Sequence, residues 1–157
     1  VWASSGGAWV SDAQPSIDQS GRVIGFGEGL MLHPRNNEVR LLLLGEIAAS
    51  KLVVRLPSGS RMIGGVSVAP RSPGDLGLTV ANGFTAGDAT TADRLRFWQG
   101  DEPGGAAAYL QYYLGTTGAW LRDQDPAQSG QNDQKLFEPW RAAIFSTAGE
   151  AVINVVP

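Results

Sequence analysis

The chain has no cysteine, a single histidine and two lysines in 157 residues. Without cysteine there is no disulfide framework, no thiolate metal site and no thiol nucleophile, and the compartment stays open. The lone imidazole is His33, so a Ser-His-Asp site would have to use it. His33 stands before Pro34 in a polar turn, and no Gly-x-Ser-x-Gly elbow occurs in the chain. A metal site built on His, Cys and carboxylates has few ligands to draw on. Lys51 and Lys135 form no cluster, and the net charge is -3. A nucleic-acid binder would show a basic face instead. Long hydrophobic runs are missing as well. The greasiest stretch, residues 41–44, is bracketed by Arg40 and Glu46 and falls far short of a membrane span. No signal peptide is visible, and no heptad or amphipathic helix can be read.

What is abundant is glycine, at 21 residues, with 9 prolines spread among short apolar runs. That pattern suits short strands joined by many turns. Residues 22–26, 30–32, 38–44, 51–56, 78–81, 106–114, 140–145 and 150–156 read as strands. Gly64-Gly65 inside an apolar run suggests a bulge or a close backbone approach. Asp75-Leu76-Gly77-Leu78 suggests one helical turn, and Asn82-Gly83 a tight turn. In residues 92–98, Leu95 and Phe97 fall on one face and Arg94, Arg96 and Trp98 on the other. Residues 140–145 and 150–156 read as a closing strand pair around residues 146–149. The fold class is all-β: an antiparallel β-sandwich or barrel-like domain with short strands and at most one or two short helical turns.

The chain repeats itself. Gly7-Ala8-Trp9-Val10-Ser11-Asp12-Ala13-Gln14-Pro15 and Gly118-Ala119-Trp120-Leu121-Arg122-Asp123-Gln124-Asp125-Pro126 share Gly, Ala, Trp, Asp and Pro in register. Glu38 and Glu150 then open corresponding apolar runs, at an offset of 111 to 112 residues. Residues 46–157 read as a complete unit and residues 1–45 as the C-terminal part of a preceding one. A chain that opens at Val1 inside a repeat reads as a product trimmed from a longer precursor. Equivalent positions imply that Trp9 and Trp120 do the same job twice, with Trp as core anchor and Asp and Pro shaping the turn.

Arg61-Met62-Ile63-Gly64-Gly65, Gly74-Asp75-Leu76-Gly77-Leu78, Asn82-Gly83-Phe84, Ala92-Asp93-Arg94-Leu95-Arg96-Phe97-Trp98 and Tyr109-Leu110-Gln111-Tyr112-Tyr113 follow one another in that order. With the Gly-Ala-Trp at 118 and the apolar C-terminal pair, the chain resembles an uncharacterised family of secreted β-rich bacterial proteins. That family carries an Ala-Asp-x-φ-x-φ-Trp segment, a Tyr-rich strand and a Gly-x-Trp strand. This chain departs from its pattern at Glu138-Pro139-Trp140, where a Pro-Gly turn is expected. The resemblance implies export and a non-catalytic role.

Candidate chemistry is thin. Asp123, Asp125, Gln131, Asn132 and Asp133 could offer oxygens to calcium, but EF-hand spacing is absent and Asx turns explain them better. Asp101 and Glu102 are adjacent in a turn, which does not place two acids across a cleft. Gly25-x-Gly27-x-Gly29 lacks the helix and lysine of a nucleotide loop, so a bulge or kink is the better reading. Aromatics are the strongest lead. Core packing is the default for a tryptophan; exposed faces could instead stack on sugar rings or anchor an interface. Trp2, Trp98, Tyr109, Tyr112, Tyr113 and Trp140 are the interface or stacking candidates, Trp98 foremost because it shares the arginine face. The expected function is a non-catalytic structural protein, outside the cell or at its surface. It would form a homo-oligomer or polymer (fibre, filament or layer), joined head-to-tail by strand pairing. The last strand would be an available donor. A carbohydrate-binding β-module is the alternative. No catalytic residue, cofactor, metal, nucleic acid or membrane span is expected.

Overall fold

The computed structural model describes residues 2–5, 8–11, 13–23, 25, 27–29, 50–64, 68–101, 107–127, 130–139 and 141–155. Among the described residues, ten strands and one 3-10 turn follow in order: Trp2–Ser5 (β1), Ala8–Ser11 (β2), Gln14–Asp18 (β3), Leu52–Leu56 (β4), Gly59–Ile63 (β5), the turn Val80–Asn82, Arg94–Asp101 (β6), Ala107–Leu114 (β7), Trp120–Arg122 (β8), Ala143–Thr147 (β9) and Ala151–Val155 (β10). They build three antiparallel sheets, β1-β2-β3, β10-β4 and β5-β9-β6-β7-β8. The sequence expectation of an all-β antiparallel protein holds. The arrangement is sandwich-like, and the barrel-like alternative does not apply because the sheets do not close.

Alternation explains why the five-stranded sheet has an inner and an outer side. Leu95 and Phe97 of β6 are fully buried, while Arg94, Arg96 and Trp98 face outward. Across the ladder, Leu95 lies between Tyr112 of β7 and Phe145 of β9. The inner side meets Leu56, Ala151, Ile153 and Val155 of the β10-β4 sheet in one core, which Leu76, Leu78, Phe84 and Phe137 fill from loops. Phe137 packs edge-on to Phe97 at 5.2 Å and stacks on Phe145 at 6.0 Å.

Two strands that the sequence presents as a closing pair do not pair with each other. β9 lies between β5 and β6, whereas β10 pairs with β4 in the other sheet. Residues 57–58 and 148–150 form facing corners where an antiparallel ribbon bends from one sheet into the other. Thr147 Oγ1 donates to the Pro57 carbonyl at 3.1 Å and ties the corners together. This bend is why residues 146–149 read like a hairpin turn: the chain does turn there, but into the opposite layer.

Other local readings divide similarly. The strand expected over residues 78–81 is instead a 3-10 turn, closed by Gly83 at φ 93°. Asn82 Nδ2 donates to the Gly77 carbonyl, which brings Leu78 and Phe84 into the core. Residues 73–77 make a hydrogen-bonded turn without a helix, with Ser72 and Asp75 exchanging side-chain bonds to each other's N–H. Gly64 does mark a close approach: a Cβ there would stand 3.1 Å from the Gly29 Cα. Arg22 and Val23 lie in no strand. The expected strands over residues 30–32 and 38–44, and His33, lie outside the described residues.

Contacts cap single points of the five-stranded sheet's edge strands. At β8, Asn132 Oδ1 accepts the Trp120 N–H at 2.8 Å and Gln131 N–H donates to the Trp120 carbonyl at 2.7 Å. At β5, Glu28 bridges to Ile63 and Gly64 N–H donates to Gly27. On the side of β10 away from β4, Asn154 N–H donates to the Leu76 carbonyl. By contrast, β1, β2 and β3 pair with one another, and no described side chain of that sheet is buried.

Candidate functional site

The outer side of the five-stranded sheet gathers Trp98, Tyr109 and Tyr113 with Arg94 and Arg96. Register places Trp98 opposite Tyr109, Arg96 opposite Gln111 and Arg94 opposite Tyr113. On the other flank of β6, Arg94 meets Ser146 and Arg96 meets Ile144. Side chains directly opposite in an antiparallel pair touch, so the face carries a row of arginines between aromatics and serines. The Arg96 guanidinium lies 5.9 Å from the Tyr109 ring centroid, within cation–π range. Its Nη2 donates to Ser146 Oγ at 3.4 Å, and Ser146 Oγ shares a 2.7 Å hydrogen bond with Ser60 Oγ. Gln111 Nε2 donates to Asp123 Oδ2 at 2.8 Å.

The aromatic candidates separate by burial. Trp98 is 37% exposed, and Tyr109 and Tyr113 are half-buried on the outer face. Tyr112 is a correction. It points inward, is 4% exposed and meets Phe97 edge-on at 6.1 Å, because its position in β7 has the opposite parity to Tyr109 and Tyr113. Burial pushes its phenol above the usual range. Trp2 belongs to β1, but its side chain lies outside the described residues, as does Trp140 altogether.

The repeated motif behaves differently in its two copies. Trp120 is fully buried, donates Nε1–H to the Leu78 carbonyl at 2.8 Å and packs edge-on against Phe84. Trp9 sits in the middle strand of β1-β2-β3 and is 43% exposed. The second copy therefore fits the expected core anchor and the first does not, because the sheet holding Trp9 has no opposing layer among the described residues.

Other candidates resolve into structural roles. Glu28 Oε2 accepts the Gly25 N–H and Oε1 takes the Arg22 guanidinium at 2.6 Å, so the Gly-x-Gly-x-Gly stretch is a self-capped turn. Asn132 holds Trp120 N–H and the Gly118 carbonyl, acting as a clamp between loop and strand. Among the described residues, no group of three or more His, Cys, Asp or Glu side chains could hold a metal. Asp93 is a buried carboxylate that sequence reading passed over. Its two oxygens accept Ala148 N–H at 2.8 Å and Thr85 N–H at 3.0 Å, which spends it on the backbone.

Beside it lies an open depression of about 360 Å³ lined by Thr90, Thr91, Arg94, Arg96, Ser146 and Ala148, among others. Arg94 and Arg96 were already legible as one face. Ser146 was not, since only the β6–β9 pairing brings it there. No protein-family model, no curated protein and no solved structure matches the chain.

Proposed function

We propose that the chain is a non-catalytic structural protein, a subunit of an extracellular or cell-surface fibre, filament or layer. The observation that carries this reading is the β1-β2-β3 sheet. All five residues of its edge strand β3 are exposed, and Trp9 and Ile17 stand 43% and 47% exposed on a sheet with no buried side chain among those described. An uncovered edge of this kind is a template for pairing with another chain. Residues 2–18 are the proposed joint. Size-exclusion chromatography with light scattering, followed by electron microscopy, tests it. Concentration-dependent assembly that Ile17→Lys abolishes is the expected result. A folded monomer at every accessible concentration removes the proposal.

A second reading, a carbohydrate-binding module, is favoured by the Trp98–Tyr109 pairing on the outer face. Sugar rings stack on such aromatic surfaces, and polar neighbours fix their orientation. A glycan array with a Trp98→Ala control decides it. Binding indifferent to Trp98, or none at all, excludes this site.

A further inference from the structure

We infer that the depression between the 90–91 turn and Ser146 is a binding site for an oxyanion group: sulfate, phosphate or carboxylate. Alternation along β6 projects Arg94 and Arg96 onto the same face, two residues apart. Ser146 of β9 stands directly across from Arg94. Two guanidinium groups and one carboxylate, Asp93, line the depression, so its formal balance is positive. The carboxylate makes no ion pair with either arginine; its oxygens instead accept the backbone N–H groups of Thr85 and Ala148. Neither arginine has an ion-pair partner among the described residues.

The hydrogen-bond inventory points the same way. The hydroxyls of Thr90 and Thr91 donate to Asp88, and that of Thr147 to Pro57, so these line the wall without offering protons. Arg94 is held in place through Nη2, which donates to the Ala89 carbonyl. Arg96 holds Ser146 Oγ only at 3.4 Å, and its Nε is buried with no hydrogen-bond partner. A buried unpaired donor is uncommon and calls for a missing partner. An oxyanion above Ser146 would give the Arg96 guanidinium the two-pronged contact that it favours. Trp98 and Tyr109 continue the same face beyond Arg96, so the group can be free or carried on an acidic sugar.

Isothermal titration with inorganic sulfate, and with a sulfated disaccharide beside its unsulfated parent, tests the site on the whole chain. Saturable binding is expected, weakened at least about tenfold by R94Q/R96Q and unchanged by R55Q, an exposed arginine on β4. Arg96→Lys, which keeps the charge but loses the fork, is expected to bind more weakly than wild type. Amide NMR shifts in the unsubstituted protein locate the ligand even if a variant misfolds, and should centre on residues 90–96 and 146–148. Binding of sulfate alone assigns a free anion; binding only of the sulfated disaccharide assigns a sugar-borne group. No binding by either probe, equal binding by R94Q/R96Q, or shifts elsewhere overturns the assignment.

Discussion

Replacing Trp9 and Trp120 in parallel separates what the repeated motif implies from what the fold makes of it. A tryptophan side chain buries roughly 150–250 Å², and at about 25 cal/mol per Å² that corresponds to at most about 4–6 kcal/mol. Trp120 is fully buried, so Trp120→Ala forfeits nearly all of it and leaves the Leu78 carbonyl without the indole N–H. Core aromatic-to-alanine changes cost about 3–5 kcal/mol, and an orphaned buried acceptor about 1–3 kcal/mol. A loss of about 4 kcal/mol or more is expected, a large share of the roughly 5–15 kcal/mol that holds a domain together. Trp120→Phe keeps most of the ring and isolates the hydrogen bond, for about 1–3 kcal/mol. Trp9 is 43% exposed in a sheet with no buried side chain among those described, so Trp9→Ala should cost under about 1 kcal/mol. Urea denaturation followed by far-UV circular dichroism reads all three, since that signal does not depend on the tryptophan removed; midpoints are compared at constant slope. Equal losses at the two sites, or no measurable loss for Trp120→Phe, would refute the division into core anchor and surface residue.

Two glycines give a paired prediction. A Cβ at Gly83 would stand 2.3 Å from the Glu150 carbonyl oxygen at φ 93°, whereas one at Gly118, φ 79°, meets nothing within 4 Å. Gly118→Ala should cost only the left-handed strain, about 1–2 kcal/mol, and Gly83→Ala clearly more, as thermal melts will show. Asn132→Ala frees the Trp120 N–H and the Gly118 carbonyl and should cost about 1–3 kcal/mol, read from the urea midpoint. Acid should weaken the fold. Hydrogen bonds from Thr90 and Thr91 hold the Asp88 carboxyl down to about 2, and Lys135 with Ser72 holds Asp75 well below the usual carboxylate range. Both folded values lie below the unfolded ones, so their stabilisation is complete above about pH 4 and is lost as pH falls through the folded values. The melting temperature should drop between about pH 4 and 2, less steeply in Asp88→Asn; a flat wild-type profile there rejects the account.

Strand existence was legible where alternation is strong, as at Leu95 and Phe97 against Arg94, Arg96 and Trp98. The same logic failed for Tyr112 only because a Tyr-rich run was read as one aromatic surface, although its neighbours Tyr109 and Tyr113 carry the opposite parity. Pairing was not legible. Local pattern shows that residues 143–147 and 151–155 are strands, but the partner of each is decided by apolar faces far away in the chain, Phe145 against Leu95 and Ile153 opposite Val54. Likewise the 3-10 turn at Val80–Asn82 replaces a strand because Leu78 and Phe84 must both reach the core, a demand no propensity encodes.

Those long-range choices bear on how the protein can meet anything else. Backbone groups at β8, β5 and β10 are answered by Asn132 and Gln131, by Gly27, and by Leu76. Strand addition at these points would have to displace bonds already made, whereas on the outer face recognition depends on side chains. The β1-β2-β3 sheet is the reverse case: Trp9 and Ile17 are exposed and the β2–β3 ladder is short, so main-chain pairing is the interaction proposed for it. The proposed assembly surface and the proposed oxyanion site therefore fall on different parts of the chain, and they should fail independently. Ile17→Lys should leave sulfate titration intact, and R94Q/R96Q should leave assembly intact. A substitution at either site that abolishes both would mean that the two surfaces are one.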